Sequence, residues 1–123
     1  MPAQDDFGAT FAEFRDILRE LEPKLLLNAD EPGNYSLDAG YSERHKKMIW
    51  FGGVRIAKNY VSYHLMPVYG CPDLVRTMPD ELRRRMQGKS CFNFTQVDDA
   101  LFSELDALTA RGHELYEERG LLR

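Results

Sequence analysis

Side chains that could bind a ligand or take part in chemistry alternate along one short segment near the middle of the chain. Tyr60, Ser62 and His64 follow one another at every second position, which places them on one face of a β-strand. An aromatic ring, a hydroxyl and an imidazole, with the guanidinium of Arg55 nearby, suit a small-ligand surface. The ligand-binding residues that we predict on this face are Trp50, Arg55, Tyr60, Ser62, His64 and Cys91.

The shared face follows from the register predicted for the two strands that carry these residues. A two-residue hairpin turn at Lys58-Asn59 would pair Arg55 with Ser62 and Gly53 with His64. The opposite, core-facing side would then hold three apolar pairs: Ile56 and Val61, Val54 and Tyr63, and Gly52 and Leu65. A slip of one residue would mix apolar and polar side chains on both faces, so this register is favoured. The glycine pair predicts a bulge or a close approach of backbones, and Gly53 leaves room beside His64.

Three interpretations of this face remain open from the sequence. It could bind a small polar or anionic molecule or a protein partner, or it could be an ordinary solvated face of an antiparallel sheet. Cys91 is predicted on the same face as His64, and a Cys/His couple would allow nucleophilic chemistry. No HxH, HxxxH or CxxC motif accompanies them, and no phosphate-loop motif is present. The sequence therefore assigns no catalytic residue, metal ion, cofactor or oligomeric state.

The first element that must support this face is an amphipathic helix near the N-terminus. Its apolar residues, from Phe7 to Leu21, recur at spacings of four and three, and Pro23 should end it. Phe11 and Phe14 belong to this apolar stripe, which should pack on the core face of the sheet together with Leu105 from the last helix. Another stripe of the helix is an acidic ridge formed by Glu13, Asp16 and Glu20.

The strands around the central hairpin are predicted from alternation and from turn residues. A short strand is expected at residues 25–28, a turn at 30–34, and a strand from 35 to 41. The buried side of that strand should hold Tyr35, Leu37, Ala39 and Tyr41. Residues 42–47 should form a loop, and Pro67 should close the strand that carries His64.

The C-terminal half is predicted to hold two short helices, a last strand and a long helix. The helices should begin at Cys71-Pro72-Asp73 and span residues 79–87, with Gly88 as the C-terminal cap of the second. The last strand should span residues 89–94. Asp98 should then cap a helix whose apolar stripe is Leu101, Leu105, Leu108 and Leu115.

These elements predict an α+β fold. We expect a two-layer sandwich in which the N- and C-terminal helices cover one face of a mostly antiparallel sheet of about five strands. The 123 residues should form a single domain, 1–123. The other face of the sheet would be left for function.

Charge and composition exclude several classes of protein. The net charge of −4 argues against a nucleic-acid or anionic-membrane binder. No apolar run approaches the roughly 18 residues of a membrane span. The N-terminal MPAQDDFGAT lacks the layout of a signal peptide, so we expect a cytoplasmic protein. Cys71 and Cys91 should then be free thiols.

Two segments carry a resemblance to a known family. They are FGGVRIAKNYVSYHLMPVYGCPDL, from Phe51 to Leu74, and MQGKSCFNF, from Met86 to Phe94. With the earlier KLLLNADEPGNYSLD, they resemble the YdhG-like family of small bacterial proteins, a domain of unknown function. The resemblance runs from about Leu25 to the last helix, and it implies a two-layer α/β domain with an antiparallel sheet.

The resemblance adds one functional alternative. The same broad grouping has been linked to frataxin-like proteins, which bind iron through acidic helix surfaces and assist iron–sulfur cluster assembly. That would give Glu13, Asp16 and Glu20 a role, because oxygen ligands suit hard cations. The expected functions are therefore a non-enzymatic small binding or accessory domain, a frataxin-like iron-binding protein, or an enzyme with a Cys91/His64 couple.

Overall fold

The protein has the predicted α+β architecture, with helices packed on one face of an open antiparallel sheet. A computed structural model describes residues 4–88 and 90–120. In these residues the elements are α1 (Gln4–Arg19), a 3-10 turn (Glu22–Lys24), β1 (Leu26–Glu31), β2 (Asn34–Ser42), β3 (Lys47–Ile56), β4 (Val61–Leu65), α2 (Met66–Gly70), α3 (Pro72–Arg76), α4 (Asp80–Arg83), β5 (Met86–Gln87), β6 (Cys91–Phe94) and α5 (Asp99–Glu118). The six strands lie in the order β1-β2-β3-β4-β6-β5, one strand more than predicted.

The core lies between the sheet and the two long helices, α1 and α5. Phe14 of α1 is fully buried and stacks on Phe102 and Tyr63, with ring centroids 4.1 and 4.8 Å apart. The Thr109 hydroxyl donates to the Leu105 carbonyl at 2.7 Å, so the buried Tyr63 hydroxyl donates to Thr109 Oγ1 at 2.6 Å. Burial of the predicted core is confirmed for Phe11, Phe14, Val54, Val61, Tyr63, Leu65 and Leu105, and Ile56 is partly buried against it.

The predicted register of the central hairpin is confirmed. Gly53 pairs with His64, Arg55 pairs with Ser62, and the turn is closed by the Ala57 N–H donating to the Tyr60 carbonyl at 2.8 Å. The side chains therefore alternate as expected between a core face and an open face.

The first hairpin is longer than predicted. Asp30 pairs with Tyr35 and Glu31 with Asn34, so the turn is only Pro32-Gly33 and the prediction of a turn over 30–34 was wrong. Gly33 has a φ of 78°, a conformation that glycine adopts without steric cost. The strand pairing can therefore continue up to the turn.

Two bulges interrupt the pairing of β2 with β3. Leu37 pairs with Gly52 but Asp38 pairs with Trp50, which leaves Phe51 as an extra residue in β3. Ala39 is the extra residue in β2. Each bulge reverses the alternation beyond it, so Tyr41, predicted to be buried, is 55% exposed.

Two elements between β4 and β6 differ from the prediction. Pro67 does not simply close a strand, since residues 66–70 form the short helix α2. The helix expected over 79–87 is only α4, and Met86 and Gln87 pair with Phe92 and Cys91 as strand β5. Pairing with the backbone of β6 here outweighs the local helical preference of the segment. Gly88, with a φ of 74°, lies after this strand, and Lys89 of the predicted last strand lies outside the described residues.

The closing helix α5 begins as predicted. The Asp98 carboxylate accepts a hydrogen bond from the Leu101 backbone N–H at 3.1 Å, which caps the first turn. Its buried side includes Leu101, Leu105 and Leu108, and Leu115 is partly buried.

The sheet is bounded by two irregular strands. β1 has a register shift between Leu27 and Ala29 and ends in Asp30 and Glu31, whereas β5 has only two residues. None of the helices within residues 4–88 and 90–120 has the length and apolar character that a membrane crossing needs.

Candidate functional site

The open face of the sheet is built from two rows of paired residues that run across β3, β4 and β6. One row is Gly53–His64–Cys91, and the next is Arg55–Ser62–Asn93. Because successive strands in a sheet lie about 4.8 Å apart, each row brings residues that are distant in sequence into contact range.

Trp50 forms one wall of this face. Its indole N–H donates to Ser36 Oγ on β2 at 2.7 Å. A Cβ on Gly53 would lie 3.3 Å from the indole Cζ2 and 2.8 Å from the Tyr35 carbonyl oxygen. The indole can therefore lie across β3 toward β2 only because residue 53 has no side chain. The close approach predicted for the glycine pair is thus confirmed.

His64 lies at the centre of the face and is half-buried. Its Nδ1 is 2.8 Å from Cys91 Sγ, its Nε2 is 3.1 Å from Ser62 Oγ, and its ring centroid is 5.3 Å from that of Trp50. Both ring nitrogens and one ring face are thus occupied by side chains from three strands.

Two tautomers of a neutral ring satisfy both hydrogen bonds. In one, the Cys91 thiol donates to Nδ1 and the Nε2–H donates to Ser62 Oγ. In the other, the Nδ1–H donates to the sulfur and the Ser62 hydroxyl donates to Nε2. Burial lowers the pKa of His64, and the positive charge of Arg55 lowers it further, so the ring is neutral at neutral pH. In the first tautomer it can accept the thiol proton.

A cavity of about 230 Å³ opens beside His64. It is lined by residues of three strands, among them Asn34, Ser36, Trp50, Gly53, Arg55 and His64. This volume lies below the roughly 300–1,000 Å³ of pockets for drug-sized ligands, so it suits a small molecule. None of the ion pairs between described residues involves Arg55, whose guanidinium is left to pair with a ligand.

Asn93 provides a further polar group on this face. Its Oδ1 is buried and has no hydrogen-bond partner within residues 4–88 and 90–120. A buried carbonyl oxygen without a donor costs roughly 1–3 kcal/mol. A water or ligand that brings a donor to Asn93 would remove that cost.

No family model, curated protein or solved structure matches the chain. The resemblance to the YdhG-like family therefore stays a prediction, and the function has to be argued from the geometry of the site.

The structure brings together five of the six residues predicted for the site. Trp50, Arg55 and His64 line the cavity, and Ser62 and Cys91 contact His64. The exception, Tyr60, lies in the hairpin turn, is 38% exposed and is not among the residues that line the cavity.

Sequence reasoning missed three polar residues of the open face. Asn34 and Ser36 alternate with the buried Tyr35 and Leu37 on β2, a pattern that could have identified them had β2 been paired with β3. Asn93 alternates with buried phenylalanines on β6 in the same way.

The acidic ridge is exposed at Glu13 and Asp16 on α1 and at Glu20 just past the end of the helix. In the part of the chain that the structure describes, no group of three or more His, Cys, Asp or Glu side chains could hold a metal ion. The arrangement expected of an iron site on this helix is therefore not present among those residues.

Stability should fall as the pH is lowered below about 6.5. Burial lowers the folded-state pKa of both His64 and His113, and Nε2 of His113 is buried without a hydrogen-bond partner among the described residues. The unfolded chain therefore binds protons in this range that the folded chain does not, and acid favours unfolding. The free energy of unfolding in urea at about pH 7.5 and about pH 5.5 measures this.

The matched control is the double variant His64→Gln, His113→Gln, in which the dependence of stability on pH over this range should be weaker. Stability that is constant or rises on acidification of the unchanged protein would contradict the prediction.

Proposed function

We propose that the protein binds a small anionic or polar molecule on the open face of the sheet. The observation that carries the proposal is the guanidinium of Arg55, without an ion-pair partner among the described residues, beside a cavity lined by polar groups. A cation paired with a ligand anion forms charge-assisted hydrogen bonds, which are about twice as strong as neutral ones.

The other lining groups complement this charge. Asn34 and Ser36 offer neutral hydrogen-bonding groups, and the rings of Trp50 and His64 line the cavity as aromatic walls. Apart from Asn34 at the start of β2, they stand within paired strands of the sheet, so the site is held in place before the ligand arrives. These features favour a binding or accessory domain over the frataxin-like alternative, which has no such cluster among the described residues.

Removal of the Arg55 charge should weaken ligand binding without unfolding the protein. Hydrogen bonds to charged groups contribute about 1.5–3 kcal/mol, so Arg55→Gln should lower affinity by about ten- to a hundredfold. Arg55 is exposed, and its loss should change thermal stability little. The measurement is native mass spectrometry of protein purified without added ligand, followed by titration of the released molecule.

The control is Arg84→Gln, which removes an exposed arginine that lines a different concavity, beside Asp98. It should retain the co-purified molecule. Equal ligand occupancy in Arg55→Gln and in the unchanged protein would contradict the proposal.

A further inference from the structure

We infer that Cys91 is a nucleophilic thiol with His64 as its proton acceptor, and that it bonds covalently to a small anionic electrophile held beside Arg55. The anionic character of the substrate rests on the proposed function, whereas the reactivity of the thiol rests on the contacts of His64 alone.

The nucleophile and the base are in hydrogen-bonding contact. Cys91 Sγ is 2.8 Å from Nδ1 of His64 and 3.7 Å from Nε2, so the sulfur lies nearer Nδ1. The two residues are direct cross-strand partners on β4 and β6, within the sheet. A nucleophile within hydrogen-bond reach of a base is the arrangement that activates a thiol.

A third group fixes the orientation of the base. Ser62, only 4% exposed, lies 3.1 Å from Nε2 on the far side of the ring. When the Ser62 hydroxyl accepts this hydrogen bond, the proton is on Nε2 and the Nδ1 lone pair is left for the thiol. In this proposal Cys91 is the nucleophile, His64 is its proton acceptor and Ser62 is the positioning residue.

The two cysteines differ in ways that bear on reactivity. Cys91 is half-buried, whereas Cys71 is 1% exposed. The buried thiol can be reached only after local opening, so Cys71 serves as an internal comparison in the same chain.

The neighbouring row supplies recognition. Arg55, Ser62 and Asn93 lie beside the Gly53–His64–Cys91 row on the same three strands. Arg55 can pair with the negative charge of the electrophile, and its cross-strand partner Ser62 lies beside it in that row. The reacting carbon would lie between these groups and the sulfur.

The bond-forming step needs no further reactant. Sγ attacks the electrophilic carbon and forms a C–S bond, while the bond from that carbon to the leaving group breaks and its electron pair departs with the leaving group. The thiol proton passes to Nδ1 of His64, and the imidazolium then releases it to solvent or to the departing group.

The test compares alkylation by iodoacetate, an anion, with alkylation by iodoacetamide, its neutral analogue. Native protein is treated with each reagent, and the rate at each cysteine is followed by peptide mass spectrometry. In the unchanged protein Cys91 should react with iodoacetamide at least about tenfold faster than glutathione at about pH 6.5, and Cys71 should stay unmodified.

Two variants separate the two parts of the inference. His64→Gln should slow the reaction of Cys91 with both reagents by at least about tenfold. Arg55→Gln should lower the ratio of the iodoacetate rate to the iodoacetamide rate. A purely structural role of either residue would not produce this pair of results, and circular dichroism checks that both variants are folded.

Each part has its own contrary outcome. The assignment of Cys91 as an activated nucleophile is wrong if Cys91 reacts no faster than glutathione in the unchanged protein. It is also wrong if the rate at Cys91 does not depend on His64. If Arg55→Gln leaves the rate ratio unaltered, the inference that the electrophile is anionic is wrong. That result also counts against the proposed ligand class, even where the reactivity of Cys91 depends on His64.

Discussion

Replacement of Phe14 by alanine should lower the free energy of unfolding by about 3–5 kcal/mol. The ring is fully buried, stacks on Phe102 and Tyr63, and meets the edge of Phe94 at a centroid distance of 5.4 Å. Its removal would leave a cavity where α1, α5 and the sheet meet. Since small domains are stable by only about 5–15 kcal/mol, this one change takes a large share of the total.

Urea unfolding followed by circular dichroism measures the loss. The control is Tyr41→Ala, which truncates an aromatic side chain that is 55% exposed on β2 and should cost less than about 1 kcal/mol. A similar loss in the two variants would show that Phe14 is not a centre of the core.

A methyl group at Gly53 should disturb both the sheet and the site. The Cβ of Gly53→Ala would lie 2.8 Å from the Tyr35 carbonyl oxygen and 3.3 Å from the Trp50 ring. The backbone cannot yield cheaply, so we expect a loss of about 1–3 kcal/mol in the free energy of unfolding, as for other overpacked sites. The indole ring must also give way.

Trp50 is the only tryptophan in the chain, so its fluorescence reports on this wall directly. Gly53→Ala should shift the emission maximum, whereas Gly70→Ala, where an added Cβ meets nothing within 4 Å, should leave both emission and stability unaltered. An unshifted emission maximum in Gly53→Ala would mean that the indole does not lie against residue 53.

Local alternation was enough to predict the central hairpin. Val54, Ile56, Val61 and Tyr63 alternate with polar or small residues on both strands, and only one register puts all four on the same face. The two covering helices were predictable for the same reason, because their apolar residues recur with helical spacing.

The structure differs from the prediction where pairing between strands overrides the conformational preference of a segment. The bulges at Ala39 and Phe51 depend on how β2 meets β3, and the glycine pair beside Phe51 indicated only that a bulge or a close approach occurs there. Strand β5 occupies a segment with a helical pattern because β6 offers it unpaired backbone groups. Prediction from one segment cannot include a partner whose position is unknown.

The candidate site was likewise predictable where it depends on one strand and not where it depends on pairing between strands. The shared face of Ser62 and His64 is a local property of one strand and could be predicted. The 2.8 Å contact between His64 and Cys91 requires β6 to pair with β4, although three short helices, α2 to α4, and strand β5 lie between them along the chain. The sequence could only state that contact as an alternative. Tyr60, predicted on the same face, lies in the turn and outside the cavity lining, so its place in the site stays a prediction.

The irregular strands at the two ends of the sheet have a consequence for behaviour at high concentration. A straight exposed edge strand is a template on which a second copy can add a strand and begin to aggregate. Here one edge is distorted by the shift after Leu27 and carries Asp30 and Glu31 just before Pro32, and the other is only two residues long. Charge, distortion and shortness oppose such growth, so the fold leaves the sheet face around His64 open while both sheet edges resist the addition of a further strand.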